Sequence, residues 1–524
     1  MKKNLLSLTA FLFTVSAQSQ LTSGHLGGSF ESYSQFYHKD SAIGAVVPPD
    51  RIGSNNYLKL DYNYKQFAAG IQFESYLPAI QGYSFVLNSS KLVNKYFRYS
   101  TGNFSVQAGD FYEQFGSGLV FRSWENRQIG INNALEGVNI KVKPLPFLGI
   151  KALYGRQRKI IEYTNSTIRG TDAEIDFSTL FKKESGARVT AGASYVSRYQ
   201  QYTGGTAGFP ATVNAHAFRL DISGGLASFS AEYTGKSKDP HDANRYEYAG
   251  GKAFLANISA AKGNVGATLT FRTLYNMDFR SEREAIQSIG LMNYIPALTK
   301  QHDYLTTNIY LYNAQPMGEA GGQLDIFYHA KKGSFLGGKT GSRFSLNVSH
   351  YRGHKNTGNL FSFGNATYFQ DLNIEWRKKW NEKFSVILLY QQVIYNRLVI
   401  EGDPLPDVKT HTAVLNALFR VAKRKAIRIE LQHLATRQDK GNWAAMVTEF
   451  SFAPKWVFYI SDLYNYGLTN IHYPVAGGSY TRGGTRFGLS YGRQRAGLFC
   501  AGGVCRYVPA ATGITATLTT TFNN

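Results

Sequence analysis

Long apolar runs are missing from this chain of 524 residues, and it has little cysteine (two), proline (14) or charge (18% Asp, Glu, Lys and Arg). No stretch beyond the N-terminus approaches the roughly 18–20 apolar residues of a spanning helix, which excludes a helical membrane protein. Two cysteines are too few for a disulfide-stapled scaffold. Intrinsic disorder is excluded by 35 Phe and 35 Tyr, because so much aromatic surface drives burial. The charge that remains is lopsided: 57 Lys and Arg stand against 35 Asp and Glu, a formal net charge of +22. Glycine is plentiful at 52 residues, above the roughly 7% of average usage.

The N-terminus carries Lys2 and Lys3, then the uncharged apolar run Leu5–Val15, then small and polar residues through Gln20. That is the layout of a secretory signal, residues 1–19, with Ala17 and Ser19 before the cut. Losing Lys2 and Lys3 lowers the formal charge from +22 to +20. An exported chain makes nucleic acid a poor explanation for that charge.

From residue 20 to 524 one pattern repeats: a strictly alternating segment, then a turn. Val138, Ile140 and Val142 alternate with Asn139, Lys141 and Lys143; Ala267, Leu269 and Phe271 alternate with Thr268, Thr270 and Arg272. Ile427, Ile429 and Leu431 face away from Arg428, Glu430 and Gln432. A period of two means strands with one apolar and one polar face. The segments run roughly nine to thirteen residues, against about five to six in soluble sheets and about 9–11 in tilted membrane strands. Aromatics gather at segment ends, as in Phe30–Tyr37, Tyr96–Tyr99 and Trp456–Tyr459, where an interfacial girdle belongs. The expected fold is therefore all-β: one large antiparallel transmembrane β-barrel.

Short connections (Lys65–Phe67, Gly224–Leu226, Ala261–Val265) alternate with longer ones such as Glu113–Asn133 and Asn276–Gln301, as barrels require. Counting segments from Leu26 to Phe522 gives 25, and the up–down parity fails between Asn276 and Tyr351. An even number is needed, so the expectation is 24–26 strands with 26 preferred. The first strand begins so soon after the cut that no N-terminal plug domain is expected.

Basic residues on faces assigned to the lumen are Lys59, Lys65, Lys141, Lys143, Arg219, Arg272, Arg377 and Arg428. They bias the lumen towards anions, or they reach for lipid phosphates at the membrane edge. The strand-end clusters Lys331-Lys332, Arg377–Lys379 and Lys423-Arg424-Lys425 fit the lipid role better. Gly109–Leu119 is the most distinctive local segment, and Asp110, Glu113, Arg122 and Glu125 in or beside it are candidates for a constriction loop or for ion pairs that seal one. Ser281 and Glu284 have capping-box spacing and predict a two-turn loop helix. Cys500 and Cys505 flank Ala-Gly-Gly-Val, and in an exported protein this pair reads as a structural disulfide. His350 and His354 are the nearest approach to a metal pair and lack a third ligand, so no metal and no cofactor is expected. Catalytic motifs are absent, and no enzyme activity is expected.

Tyr491–Pro509, with its Cys-Ala-Gly-Gly-Val-Cys core, resembles the C-terminal end of an uncharacterised family of Bacteroidota outer-membrane barrels, and Gly109–Leu119 is similar to that family too. The resemblance covers nearly the whole chain. It implies a porin-like outer-membrane barrel of a Gram-negative bacterium and carries over no activity and no site residues. One departure is that Phe522 is followed by Asn523-Asn524 instead of ending the chain. Two function classes remain: a channel for small hydrophilic, preferably anionic solutes, or a non-conducting subunit of an outer-membrane assembly or secretion complex. Expected partners are outer-membrane lipid and lipopolysaccharide, and other outer-membrane proteins or lipoproteins in the second class.

Overall fold

Alternation becomes two surfaces. On the strand Leu135–Leu145, Val138 and Ile140 are 40% and 36% exposed, while Asn139 between them is 5% exposed. The same division recurs around the wall: Phe218, Ile258, Leu269, Ile374, Leu431 and Ile460 all project outward and are exposed. Asp172, Asn373 and Gln432, on the opposite faces of their strands, are buried. A folded chain leaves such an apolar belt open only where the surrounding medium is itself apolar.

The computed structural model describes residues 24–523 apart from 85, 182–185, 203–207, 287–288, 356–358 and 502. The expected signal segment lies outside the described residues. Every wall strand pairs antiparallel with its neighbours, and His25–His38 closes the ring against Ala511–Asn523, with His38 opposite Thr512 and Gly27 opposite Asn523. Of the 26 paired segments in the sheet, Glu162–Tyr163 and Ile471–His472 are two-residue annexes, so 24 strands make a closed transmembrane barrel. The range expected from sequence holds and the preference for 26 does not. Between Tyr275 and Gly318 the chain leaves the wall altogether, and Val265–Tyr275 pairs directly with Gly318–Ala330. The parity fault therefore marked one segment too many instead of one missed.

Most strand reversals at one rim are short; the exceptions are the connection from Asp176 to Ala187, which carries the helical turn Phe177–Leu180, and that from Ala330 to Ser342. Two-residue turns follow Tyr64, Gly224, Lys262, Ala422 and Arg482, and Lys65, Gly225, Gly263, Arg424 and Gly483 turn the chain at positive φ. Aromatic pairs ring this rim: Phe344 with Trp376, Trp376 with Trp380, Phe384 with Phe419, and Trp456 with Tyr480. Phe97 and Tyr99 join it through Phe67. Within Phe30–Tyr37 the girdle expectation needs correcting, because Tyr37 turns inward and donates to Gln35 Oε1. The opposite rim carries the long loops. The helix expected from Ser281 is also absent among the described residues: Ser281 N and Oγ both donate to Gly290 O, closing an irregular loop where the cap would form.

Barrel walls have no interior of their own, yet residues at the long-loop ends of the strands are buried. Leu135, Leu153, Ile168, Val196 and Val213 face inward and cluster with Phe115, Phe121, Phe279 and Met292, which belong to loops. A second cluster joins Ile309, Tyr310 and Tyr312 of a loop to Tyr351, Phe369 and Tyr395 of the wall. The cores of this protein are thus seams between loops and the inner wall.

Phe218, 58% exposed near the middle of Thr212–Gly224, tests the assignment of faces. Phe218→Arg is expected to cost about 2–4 kcal/mol in a bilayer. Thr517→Arg, on a lumen-facing position, is expected to cost little. Urea unfolding in phospholipid vesicles compares the two.

Candidate functional site

Two loops fill the upper lumen by holding each other. Arg122 N donates to Met292 O at 2.8 Å, and Tyr294 N donates to Gly118 O at 2.9 Å. Asn293 Nδ2 reaches Leu119 O at 3.2 Å, and Asn133 Nδ2 reaches Leu291 O at 2.8 Å. The segment between Tyr275 and Gly318 then crosses the barrel. Arg272 anchors its near side, with Nη2 2.6 Å from Glu319 Oε1 and Nη1 2.6 Å from Pro296 O. Three and six strands further round the wall, His302 Nε2 meets Asp371 at 2.7 Å, and Thr306 N donates to Gln432 Oε1 at 2.8 Å. The hairpin Gly497–Val508, closed by the Cys500–Cys505 disulfide, joins this plug, where Gly503 O accepts from Ala297 N at 3.0 Å.

The lumen-facing cations read from sequence are mostly paired. Lys59 lies 3.3 Å from Asp61; Lys141 lies 2.7 Å from Glu113; Arg219 holds Asp172 at 2.7 Å and Glu174 at 3.2 Å. Arg377 pairs with Glu375, and Arg428 bridges Glu430 at 2.6 Å and Glu449 at 3.2 Å. Arg272 is 1% exposed and serves as the strap anchor just described. Lys143 has no ion pair among the described residues and stands exposed at the short-turn rim with Lys65.

The loop candidates separate. Asp110 is on the strand Phe104–Phe111 and outside the loop, on the face of Glu136, where it accepts from Tyr163 Oη and from Lys95 N. Glu113 is buried where loop meets wall. Burial raises its pKa, but Lys141, Lys151 and Asn139 outweigh that and hold it below the ordinary carboxylate range. Arg122 lies 4.0 Å over the Tyr294 ring and 5.4 Å from that of Trp124. Glu125 accepts from Arg127 at 3.0 Å and Gln72 at 2.8 Å. His350 and His354 are engaged apart, with Arg352 and with Leu274 O.

Alternation alone did not single out the buried charges. Arg158 and Glu74, 3% and 2% exposed, form a two-pronged ion pair at 2.6 and 3.0 Å across the inner wall. Arg198, Lys236 and Asp239 form a second cluster with all three side chains unexposed. Beside them His241 is fully buried, with neither ring nitrogen hydrogen-bonded. Burial, helped by the Lys236 ammonium and opposed by Asp239 and Asp278, pushes its pKa down to about 4. Their shared signal in the sequence is position: each stands in or next to a long-loop strand end, where the plug covers the wall.

The plug leaves one side of the wall open. Thr515, Thr517 and Thr519 of the last strand, with Ser479, Arg486, Ser490 and Glu449, line a recess of about 700 Å³. At the short-turn rim Lys331-Lys332, Arg377–Lys379 and Lys423-Arg424-Lys425 sit with Lys65, Lys143, Lys383 and Lys455 in a basic collar.

Arg158→Met is expected to cost about 3–5 kcal/mol, because it leaves Glu74 buried and unpaired. Adding Glu74→Gln is expected to restore most of that, as read by thermal unfolding in detergent. For His241, both states are neutral above about pH 6.5, so its contribution is flat there. Below that the unfolded chain takes up a proton that the folded one refuses until about pH 4. Stability should therefore fall across this window by about 3 kcal/mol. His241→Phe is expected to remove that part of the pH dependence of the melting temperature.

A search of curated proteins by sequence finds no match. Among solved structures the chain is similar to the translocation pore of the P pilus usher PapC (9% identity, TM-score 0.44, covering 95% of this chain and 99% of that one). It is also similar to the ferric enterobactin receptor of Pseudomonas aeruginosa (8%, 0.41, 96% and 81%). A third similarity is to the outer membrane protein opdK of Pseudomonas aeruginosa (10%, 0.38, 96% and 100%). All three likenesses are remote. The family match covers residues 1–522, and the chain belongs to DUF6029, a family of unknown function.

Proposed function

We propose that this protein is a porin-like channel of the Gram-negative outer membrane, exported by its N-terminal signal, that passes small hydrophilic anions beside an inward-folded plug. One observation carries the reading: a hydroxyl-lined wall left uncovered by the loops leads to a rim crowded with lysine and arginine. Hydroxyls replace part of a solute's hydration, and a ring of cations raises the local concentration of anions. The paired carboxylates along the wall temper the field, so the selectivity expected is a preference and not an exclusion. The long loops face outward and the short turns face the periplasm, as in other barrels of this kind.

Planar-bilayer recording of the purified protein tests this. The expected result is an ohmic current whose reversal potential in a salt gradient favours anions. Lys59→Gln with Lys143→Gln should move that potential towards zero. Replacing residues 279–315 by a short Gly-Ser linker should raise the conductance several-fold. A silent membrane, with a stably co-purifying outer-membrane protein, would overturn the channel in favour of a subunit of an assembly or secretion complex.

A further inference from the structure

A cavity of about 1010 Å³ lies where the loops of the plug meet the wall, at the upper end of the size range of small-molecule sites. Aromatic rings stand among its lining residues, and they come from different parts of the chain. Tyr57 and Tyr76 stand on neighbouring strands, and Tyr83, Trp124 and Tyr294 on three separate loops; Arg506 enters from the disulfide-closed hairpin.

The charges divide unevenly. Arg158 has Glu74 at 2.6 Å, Arg127 has Glu125 at 3.0 Å, and Arg280 has Asp278 at 2.6 Å. Arg506 has no carboxylate partner among the described residues. Its guanidinium lies 4.1 Å over the Tyr83 ring, its Nε donates to Gln128 O at 2.9 Å, and its Nη1 has no hydrogen-bond partner. Stacking fixes the plane of the fork while its Nη1 donor is unspent, the arrangement that suits a carboxylate or phosphate.

The surroundings hold this arginine in place. A Cβ at Gly82, where φ is +86°, would come within 2.5 Å of Arg506 Nη1. One at Gly130, where φ is +73°, would come within 2.9 Å of the Tyr83 ring. Both backbones can approach only because these positions are bare. The Cys500–Cys505 bridge sits one residue from Arg506 and limits how far the hairpin can drift.

We infer that this cavity is a binding site for an organic anion, its oxyanion head on Arg506 and its ring or apolar body against Tyr83 and the neighbouring aromatic walls. Faces of tyrosine and tryptophan hold planar or apolar bodies of many shapes, so the head group is the selective element. As a station for a transported solute, the site rests on the channel reading above; as a binding site, it does not.

Isothermal titration of the full chain in detergent micelles tests the inference, with phenyl phosphate, benzoate, neutral benzamide and inorganic phosphate as probes. At least one of the two aromatic oxyanions should bind, and the tighter of them identifies the head group. Benzamide and inorganic phosphate should bind roughly 10-fold more weakly or worse. Arg506→Gln should weaken the preferred probe roughly 10- to 100-fold, and Arg506→Lys should recover part of that. If Arg506→Gln does not fold, Tyr83→Leu carries the same test, because it removes the ring that orients the guanidinium. Equal affinity for benzamide, unchanged binding by a folded Arg506→Gln variant, or no binding of either oxyanion overturns the site. A barrel that binds a probe and is silent in bilayers keeps the site and loses the channel; one that conducts and ignores every probe loses the site alone.

Discussion

Within hydrocarbon a backbone N–H or C=O has no water to turn to, so each strand must find its partners in the strands on either side. Closure of His25–His38 on Ala511–Asn523 is what satisfies the two strands that would otherwise be edges. Much else follows from that one pairing. It joins the first and last strands antiparallel, which requires an even number, and it brings His25 and Asn523 to the short-turn rim. It also commits alternate side chains to opposite media, so apolar positions meet lipid and polar positions meet the lumen.

A ring of 24 strands encloses more space than wall side chains can fill, and the loops take up part of it. The segment between Tyr275 and Gly318 works as a strap, tied to Arg272 and Glu319 through Pro296 O and Gln315 N and, three and six strands further round the wall, to Asp371 and Gln432. Crossing a polar lumen buries polar groups, and the ties are accordingly ion pairs and backbone-capping amides as well as packed rings. Burial of Arg158 with Glu74, or of Lys236 and Arg198 around Asp239, is tolerable because each charge has its counter-ion within hydrogen-bonding distance. The same packing creates the aromatic cavity around Arg506, since rings contributed by separate loops meet without filling the space between them.

Individual residues show how far alternation reaches. Lys141 and Arg219 face the lumen as their neighbours' apolarity demands, yet what they touch there, Glu113 of a loop and Asp172 two strands away in the wall, has no trace in local sequence. Asp110 follows Gly109, whose φ of +95° perturbs the strand, and it falls on the outer face beneath Tyr163. Ser281 and Glu284 have the letters of a helix cap, but Ser281 is spent on Gly290 O and Glu284 on Gln200. Arg272 reads like any other lumen cation until the strap arrives to bury it.

The period of two, the length of the segments and the alternation of short with long connections are local properties. They determined that the chain is a large antiparallel barrel, because each depends only on residues next to one another and on the medium each face meets. The number 24, the inward course of residues 276–317 and the cavity holding Arg506 are contacts between residues far apart in the chain. Only the folded ring decides those, since it is the width of the closed lumen that lets separate loops reach one another.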